Sequence, residues 1–200
     1  MPPLSDTSPN LPDSPEPQPE YTPKERSSLL QLAHDAILTA LENRERRPFT
    51  PSEHLSELRG AFTTVYSNGQ LRGCVGYPTP VMSLYRTVVE TAQSAAFDDP
   101  RFVPVTLREV PGLKISISVL SPVKPIRAED IVIGRDGLII SQGSHRGLLL
   151  PQVPVEHGWD RITFLEQTCR KAGLPLDAWK TGAAIEAFTA EVFGDPGAVS

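Results

Sequence analysis

The sequence predicts an α+β protein in which helices pack on antiparallel strands, and three observations lead there. Asn68-Gly69 follows the alternating run from Ala61 to Ser67, and both residues tolerate the positive φ of a type I′ hairpin turn. Leu113 to Leu120 alternates strictly, with Leu113, Ile115, Ile117 and Val119 on one side and Lys114, Ser116 and Ser118 on the other. Between and around these runs lie three stretches whose apolar residues recur at helical spacing.

Taken in order, residues 1 to 21 hold seven of the 21 prolines among Ser, Asp and Glu, which predicts a disordered, solubilising tail. Thr22-Pro23-Lys24-Glu25 combines an N-cap, a proline at the first helical position and the glutamate of a capping box. The helix it opens carries Leu29, Leu30, Ala33, Ala36, Ile37, Ala40 and Leu41 down one side, and the charged stretch Glu42 to Arg47 reads as its solvated end before Pro48. The hairpin at Asn68-Gly69 follows. Thr79 and Pro80 then read as the N-cap and first residue of a second helix with Val81, Leu84, Tyr85, Val88, Ala92, Ala95 and Ala96 inward. Asp98-Asp99-Pro100-Arg101 reads as a turn tied by local hydrogen bonds.

Ile131-Val132-Ile133, the turn Gly134 to Gly137 and Leu138-Ile139-Ile140 read as a further hairpin. Gly143 to Gly147 matches no phosphate-binding fingerprint and reads as a turn; its His145 is a candidate proton carrier or a surface loop residue. Asp160 caps a third helix with Ile162, Leu165, Cys169 and Ala172 buried, Arg170 and Lys171 in its last turn and Gly173 at C′. From Ala183 to Phe193 the pattern fits strand by alternation, though its alanines favour helix.

A chain of 200 residues supports one compact body, or one domain with a smaller lobe. The formal charge of -5 sits mostly at the start, where Asp6, Asp13, Glu16 and Glu20 precede the first lysine, so the rest is nearly neutral. No basic stripe with interleaved aromatics speaks for nucleic acid, and no apolar run approaches a membrane span. The two cysteines form no CxxC pair, and with the four scattered histidines they show no metal-ligand spacing. Free thiols and the lack of a signal-like start lead to the expectation of a cytoplasmic chain.

Chemistry concentrates at Leu71-Arg72-Gly73-Cys74-Val75-Gly76. In an unbroken strand Arg72, Cys74 and Gly76 share a face, so a guanidinium beside the thiol favours thiolate, and the N-terminus of the helix opening at Thr79 adds to it. On that reading Cys74 is a nucleophile, with His54, His145 and His157 as bases by type. On the other, Cys74 is a small buried residue and its glycines serve packing.

This hexapeptide, Asp99-Pro100-Arg101-Phe102, Gly147 to Val153 and Thr168 to Pro175 together resemble one family, in order and over about residues 22 to 194, leaving 1–21 and 195–200 as tails. The chain is similar to the AMMECR family, and most to its prokaryotic branch, the AmmeMemoRadiSam system protein A. The resemblance implies an α+β fold of a larger and a smaller lobe on antiparallel strands, which turns Ala183 to Phe193 toward strand. It implies Memo-like and radical SAM partners, no settled reaction and no named cofactor. It points to the Leu-Arg-Gly-Cys-Ile-Gly motif as an active or binding site, with Val75 here in place of isoleucine. Cys74, Arg72 and His145 are then the catalytic candidates, and Gly73, Gly76, Asp99, Arg101 and Gln152 the binding candidates. Some relatives carry histidine where Asp136 stands. A non-catalytic binding or adaptor protein remains the alternative to an enzyme component.

Overall fold

The structure, a computed structural model, describes residues 19–198. Thr22 caps α1 (Pro23–Leu41), with its side chain accepting from the Glu25 N–H and the Glu25 carboxylate returning to the Thr22 N–H. The helix ends before the charged stretch expected to prolong it. Asn43 takes φ 49° at C′, and the N–H groups of Asn43 and Arg44 turn back to Ala40 and Thr39, closing a Schellman motif. Leu32 joins Leu29, Ala33, Ala36 and Ile37 in the core, while Ala40 is exposed.

The predicted hairpin forms as β1 (Ala61–Ser67) and β2 (Gln70–Tyr77), with Asn68 and Gly69 at φ 51° and 76°. The next helix does not start at Thr79. Residues 81–83 are drawn into extended pairing with 57–59, through a Leu58–Ser83 bridge and the bonds from Arg59 N to Met82 O and Leu84 N to Glu57 O. Helix α2 (Leu84–Phe97) therefore begins after Ser83, and Val81 is exposed rather than inward. Strand β3 (Leu113–Leu120) buries Leu113, Ile115, Ile117 and Val119 as its alternation predicts. With β8 (Ala190–Gly194) these strands make an antiparallel sheet of order β2-β1-β3-β8. Helices α1 and α2 cover one of its faces and close the main core.

The second sheet has order β4-β7-β5-β6, from β4 (Lys124–Pro125), β5 (Gly137–Gln142), β6 (His145–Leu149) and β7 (Ala184–Phe188). The hairpin expected around Gly134 does not form. The Asp136 carboxylate accepts from the Val132 N–H at 2.8 Å, which curls residues 132–136 into a loop, and the edge of β5 is taken by β7 instead. The true hairpin turns at Gly143-Ser144 between β5 and β6. A short helix α3 (Gln152–Glu156), absent from the sequence reading, leads to α4 (Arg161–Lys171). Asp160 caps α4 through the Thr163 N–H, and Gly173 ends it at φ 73°. Its buried side is Phe164, Leu165, Thr168 and Cys169, with Ala172 just past its end; Ile162 is exposed.

Ala183 to Phe193 is strand, split between the two sheets at Thr189. The smaller lobe, 124–188, is thus inserted between β3 and β8 of the larger one, and a third cluster of Leu120, Ile139 and Phe188 joins them. The disorder expected of residues 1–18 lies outside the described residues, but Tyr21 does not belong to a tail: it is 1 % exposed, and its N–H donates to Glu191. Asp195 likewise belongs to the body, accepting from Ile115 N–H at 2.8 Å. No helix among the described residues is long and apolar enough to cross a membrane.

Candidate functional site

Alternation puts Thr63, Val65 and Ile117 of the larger sheet under the helices, so Thr64, Cys74 and Ser116 point to the opposite face. Thr64 pairs with Cys74 on one side and with Ser116 on the other, and Ser116 pairs with Gly194. The result is a row of small residues across all four strands, polar at Cys74, Thr64 and Ser116 and ending at Gly194, with neighbours about 5 Å apart. The Thr64 hydroxyl donates to Cys74 Sγ at 3.3 Å. Tyr66 flanks the row, its phenol held above its ordinary pKa chiefly by burial. At the other side Phe62 and Leu120 lie in the cluster shared with the smaller lobe.

Beneath this row, the motif is a packing device. Gly73 faces α2, and a methyl there would overlap the Ala95 carbonyl oxygen and stand 2.8 Å from its carbon. Helix and strand backbones meet at that point because no side chain separates them. Gly76 makes room for the Phe62 ring in the same way, a methyl also meeting the Ala61 oxygen at 2.7 Å. Cys74 thus lies by the last turns of α2, so the helix N-terminus expected to favour its thiolate is at the far end.

Arg72 is not beside the thiol either. The pairing passes from Val65–Gly73 to Tyr66–Leu71, leaving Arg72 as the extra residue of a bulge, so the face shared with Cys74 is lost. Its guanidinium binds Glu109 at 2.8 Å and the Val103 carbonyl at 3.0 Å, which fastens the 99–110 segment along the edge of β2. The Arg72 hydrogen bond, foremost, holds the Glu109 carboxyl below its usual range.

The same edge is closed at Cys74 by the Asp-Pro-Arg turn. Asp99, 6 % exposed, accepts from the Cys74 N–H at 2.9 Å and from Arg101 through its main chain, Nε and Nη2. Arg101 Nη2 also reaches the Cys74 carbonyl at 3.4 Å. One carboxylate and one guanidinium take the place of a neighbouring strand, and the unpaired edge is covered. The Arg101 bond, more than any other group, carries the Asp99 carboxyl far below the carboxylate range. Arg101 is therefore the cation at the Cys74 main chain, and Asp99 orients it.

Neither His145 nor Gln152 joins this group. His145 opens β6 in the smaller lobe, exposed, with Nδ1 facing Gly173; Gln152 is exposed at the start of α3. His54 pairs with Glu25 and stacks on Tyr21, His34 pairs with Asp195, and His157 stacks on Trp159. Among the described residues no histidine or carboxylate hydrogen-bonds Cys74 Sγ, and no group of three or more His, Cys, Asp or Glu is placed to hold a metal. Sequence reading missed Thr64, Tyr66, Ser116 and Glu109. Alternation had already put Ser116 on the polar side of β3, but only strand register brings it into line with Cys74.

The same framework recurs in known proteins. Protein MK0488 of Methanopyrus kandleri is 45% identical over 188 residues, spanning 87% of this chain and 90% of its own. Protein MJ0810 of Methanocaldococcus jannaschii is 48% identical over 151 residues, 70% of this chain and 75% of that one. The crystal structure of the uncharacterized protein PH0010 from Pyrococcus horikoshii superposes with a TM-score of 0.73 at 41% identity, covering 84% of this chain and 90% of that one. The sequence model of the AMMECR1 family matches residues 30–193, from within α1 to β8. Across both sheets, the Cys74 hairpin and the Asp99–Arg101 clamp, the chain belongs to the AMMECR1 family.

Proposed function

We propose that this chain is the ligand-binding component of a cytoplasmic system shared with Memo-like and radical SAM proteins, holding a small molecule or a partner's segment on the Cys74–Thr64–Ser116 row. The environment of the sulfur carries this reading: it accepts from a neutral hydroxyl, while Arg72 is spent on Glu109. A catalytic thiol calls for a base or cation directed at it, and a binding face does not. Ser116, 7 % exposed and without a side-chain hydrogen bond of its own among the described residues, leaves a hydroxyl available on the same face.

Arg101 favours a second reading, an enzyme component with Cys74 as nucleophile, because its guanidinium stands at the Cys74 main chain, with Nη2 3.4 Å from the Cys74 carbonyl. Reconstitution with purified Memo-like and radical SAM partners separates the two, reading complex formation and cleavage of S-adenosylmethionine. Binding predicts that Cys74→Ser and Cys74→Ala keep both readouts while Cys74→Trp, which fills the row, loses them. Loss of turnover in Cys74→Ser with the complex intact would instead establish the nucleophile.

A further inference from the structure

Among the described residues the chain passes between the lobes only twice, at residues 121–123 and at Thr189, and the two crossings are bonded to each other. Ser121 N–H donates to the Thr189 carbonyl, and Thr189 N–H to Ser121 Oγ, each at 2.9 Å. Beside this double crossing opens a cleft of about 400 Å³, within the span of small-molecule sites, which favour such junctions. Its walls are apolar where Pro122, Pro125, Ile126 and Phe188 line it. Gly137 seats the Phe188 ring, since a methyl there would overlap it.

Two cations stand in this cleft. Lys124 is exposed and has no ion-pair partner among the described residues. Arg135 is half-exposed and gripped by the buried Asp136, Nε to Oδ1 at 2.8 Å and Nη2 to Oδ2 at 2.7 Å. That grip fixes the guanidinium plane and leaves Nη1 free to donate outward. With Asp136 counted, the three charged residues of the cleft leave one net positive charge, which matches a monoanion rather than a dianion.

The geometry points to this cleft as a second binding site, for a carboxylate carried on a flat apolar body. The carboxylate bridges Lys124 Nζ and Arg135 Nη1, and the body lies on the proline and Ile126 wall. Such a ligand sits on both crossings and ties the smaller lobe to the larger.

Benzoate is the direct probe, titrated into the ¹⁵N-labelled full chain and followed by amide shifts. Saturable shifts confined to residues 121–126, 135–137 and 187–189 are expected, with affinity lowered about tenfold in Lys124→Ala. Lys124→Glu is expected to abolish them, and its unchanged spectrum elsewhere shows that the fold is kept. Scattered or non-saturating shifts, equal binding by benzylamine, tighter binding by inorganic phosphate, or affinity unmoved in Lys124→Glu would each overturn the assignment.

Discussion

Replacing Gly73 by alanine tests whether the motif glycine serves packing. The added methyl would overlap the Ala95 carbonyl oxygen and lie 2.8 Å from its carbon, and neither is a side-chain end that can swing away. Helix α2 must retreat from β2, disturbing Ala92, Ala95 and Ala96, all buried against the sheet. Overpacking against ordinary neighbours costs about 1–3 kcal/mol, and a backbone obstacle places this substitution at the upper end or above. For a domain of this size that is a fall in melting temperature of roughly 6–12 °C. Urea and thermal unfolding followed by circular dichroism measure it. Gly69→Ala is the control: nothing lies within 4 Å of its methyl, so only its φ of 76° opposes alanine, at about 1–2 kcal/mol. A Gly73→Ala protein within about 0.5 kcal/mol of the parent, the range of an unstrained surface change, would refute the packing role.

The remaining predictions concern the edge of β2 and the two thiols. Asp99→Asn weakens the charged acceptor at the Cys74 N–H and loosens Arg101, and is expected to cost about 1.5–3 kcal/mol by urea titration. Since the folded-state pKa of Asp99 lies below its unfolded value near 4, its stabilisation is complete above that pH and fades as pH falls through the folded value. Glu109, also lowered, adds in the same direction, so the acid limb of stability against pH is expected to flatten in Asp99→Asn and to stay as steep if the clamp is absent. Arg72→Ala is expected to speed hydrogen exchange across residues 99–110 while leaving β1 and β3 unchanged, because its bonds to Glu109 and Val103 fasten that segment. Cys169, 0 % exposed and with burial pushing its thiol pKa up, is expected to resist alkylation until the protein unfolds; modification in the native state would contradict its place in the core.

Local signals carried the helices with complete caps. Thr22, Pro23 and Glu25 name the start of α1, and Asp160 and Gly173 bracket α4, because these residues satisfy backbone groups within a few positions of themselves. The same holds for Asn68-Gly69. Thr79-Pro80 carries an equally good local signal, yet the long-range pairing of residues 57–59 with 81–83 overrides it. Ile131 to Ile133 has the local pattern of a strand, but the edge of β5 that it would pair with is taken by β7, more than fifty residues beyond Ile133, and no local pattern reports that competition. At the site, Cys74, Asp99 and Arg101 were legible as residues and their association was not. Alternation alone sets Arg72 beside Cys74, but a single bulge breaks it, and bulges leave little trace in composition.

Binding at the proposed row requires the half-buried Cys74 thiol to be reachable from solvent. Iodoacetamide alkylation at Cys74 in the native chain, its rate read by peptide mass spectrometry, is to be measured alone and with each of the proposed Memo-like and radical SAM partners. Ready modification is expected in the free chain, and strong protection in the complex with whichever proposed partner occupies the row. A Cys74 that stays inert until the chain unfolds, or that reacts equally fast in every complex, would contradict it.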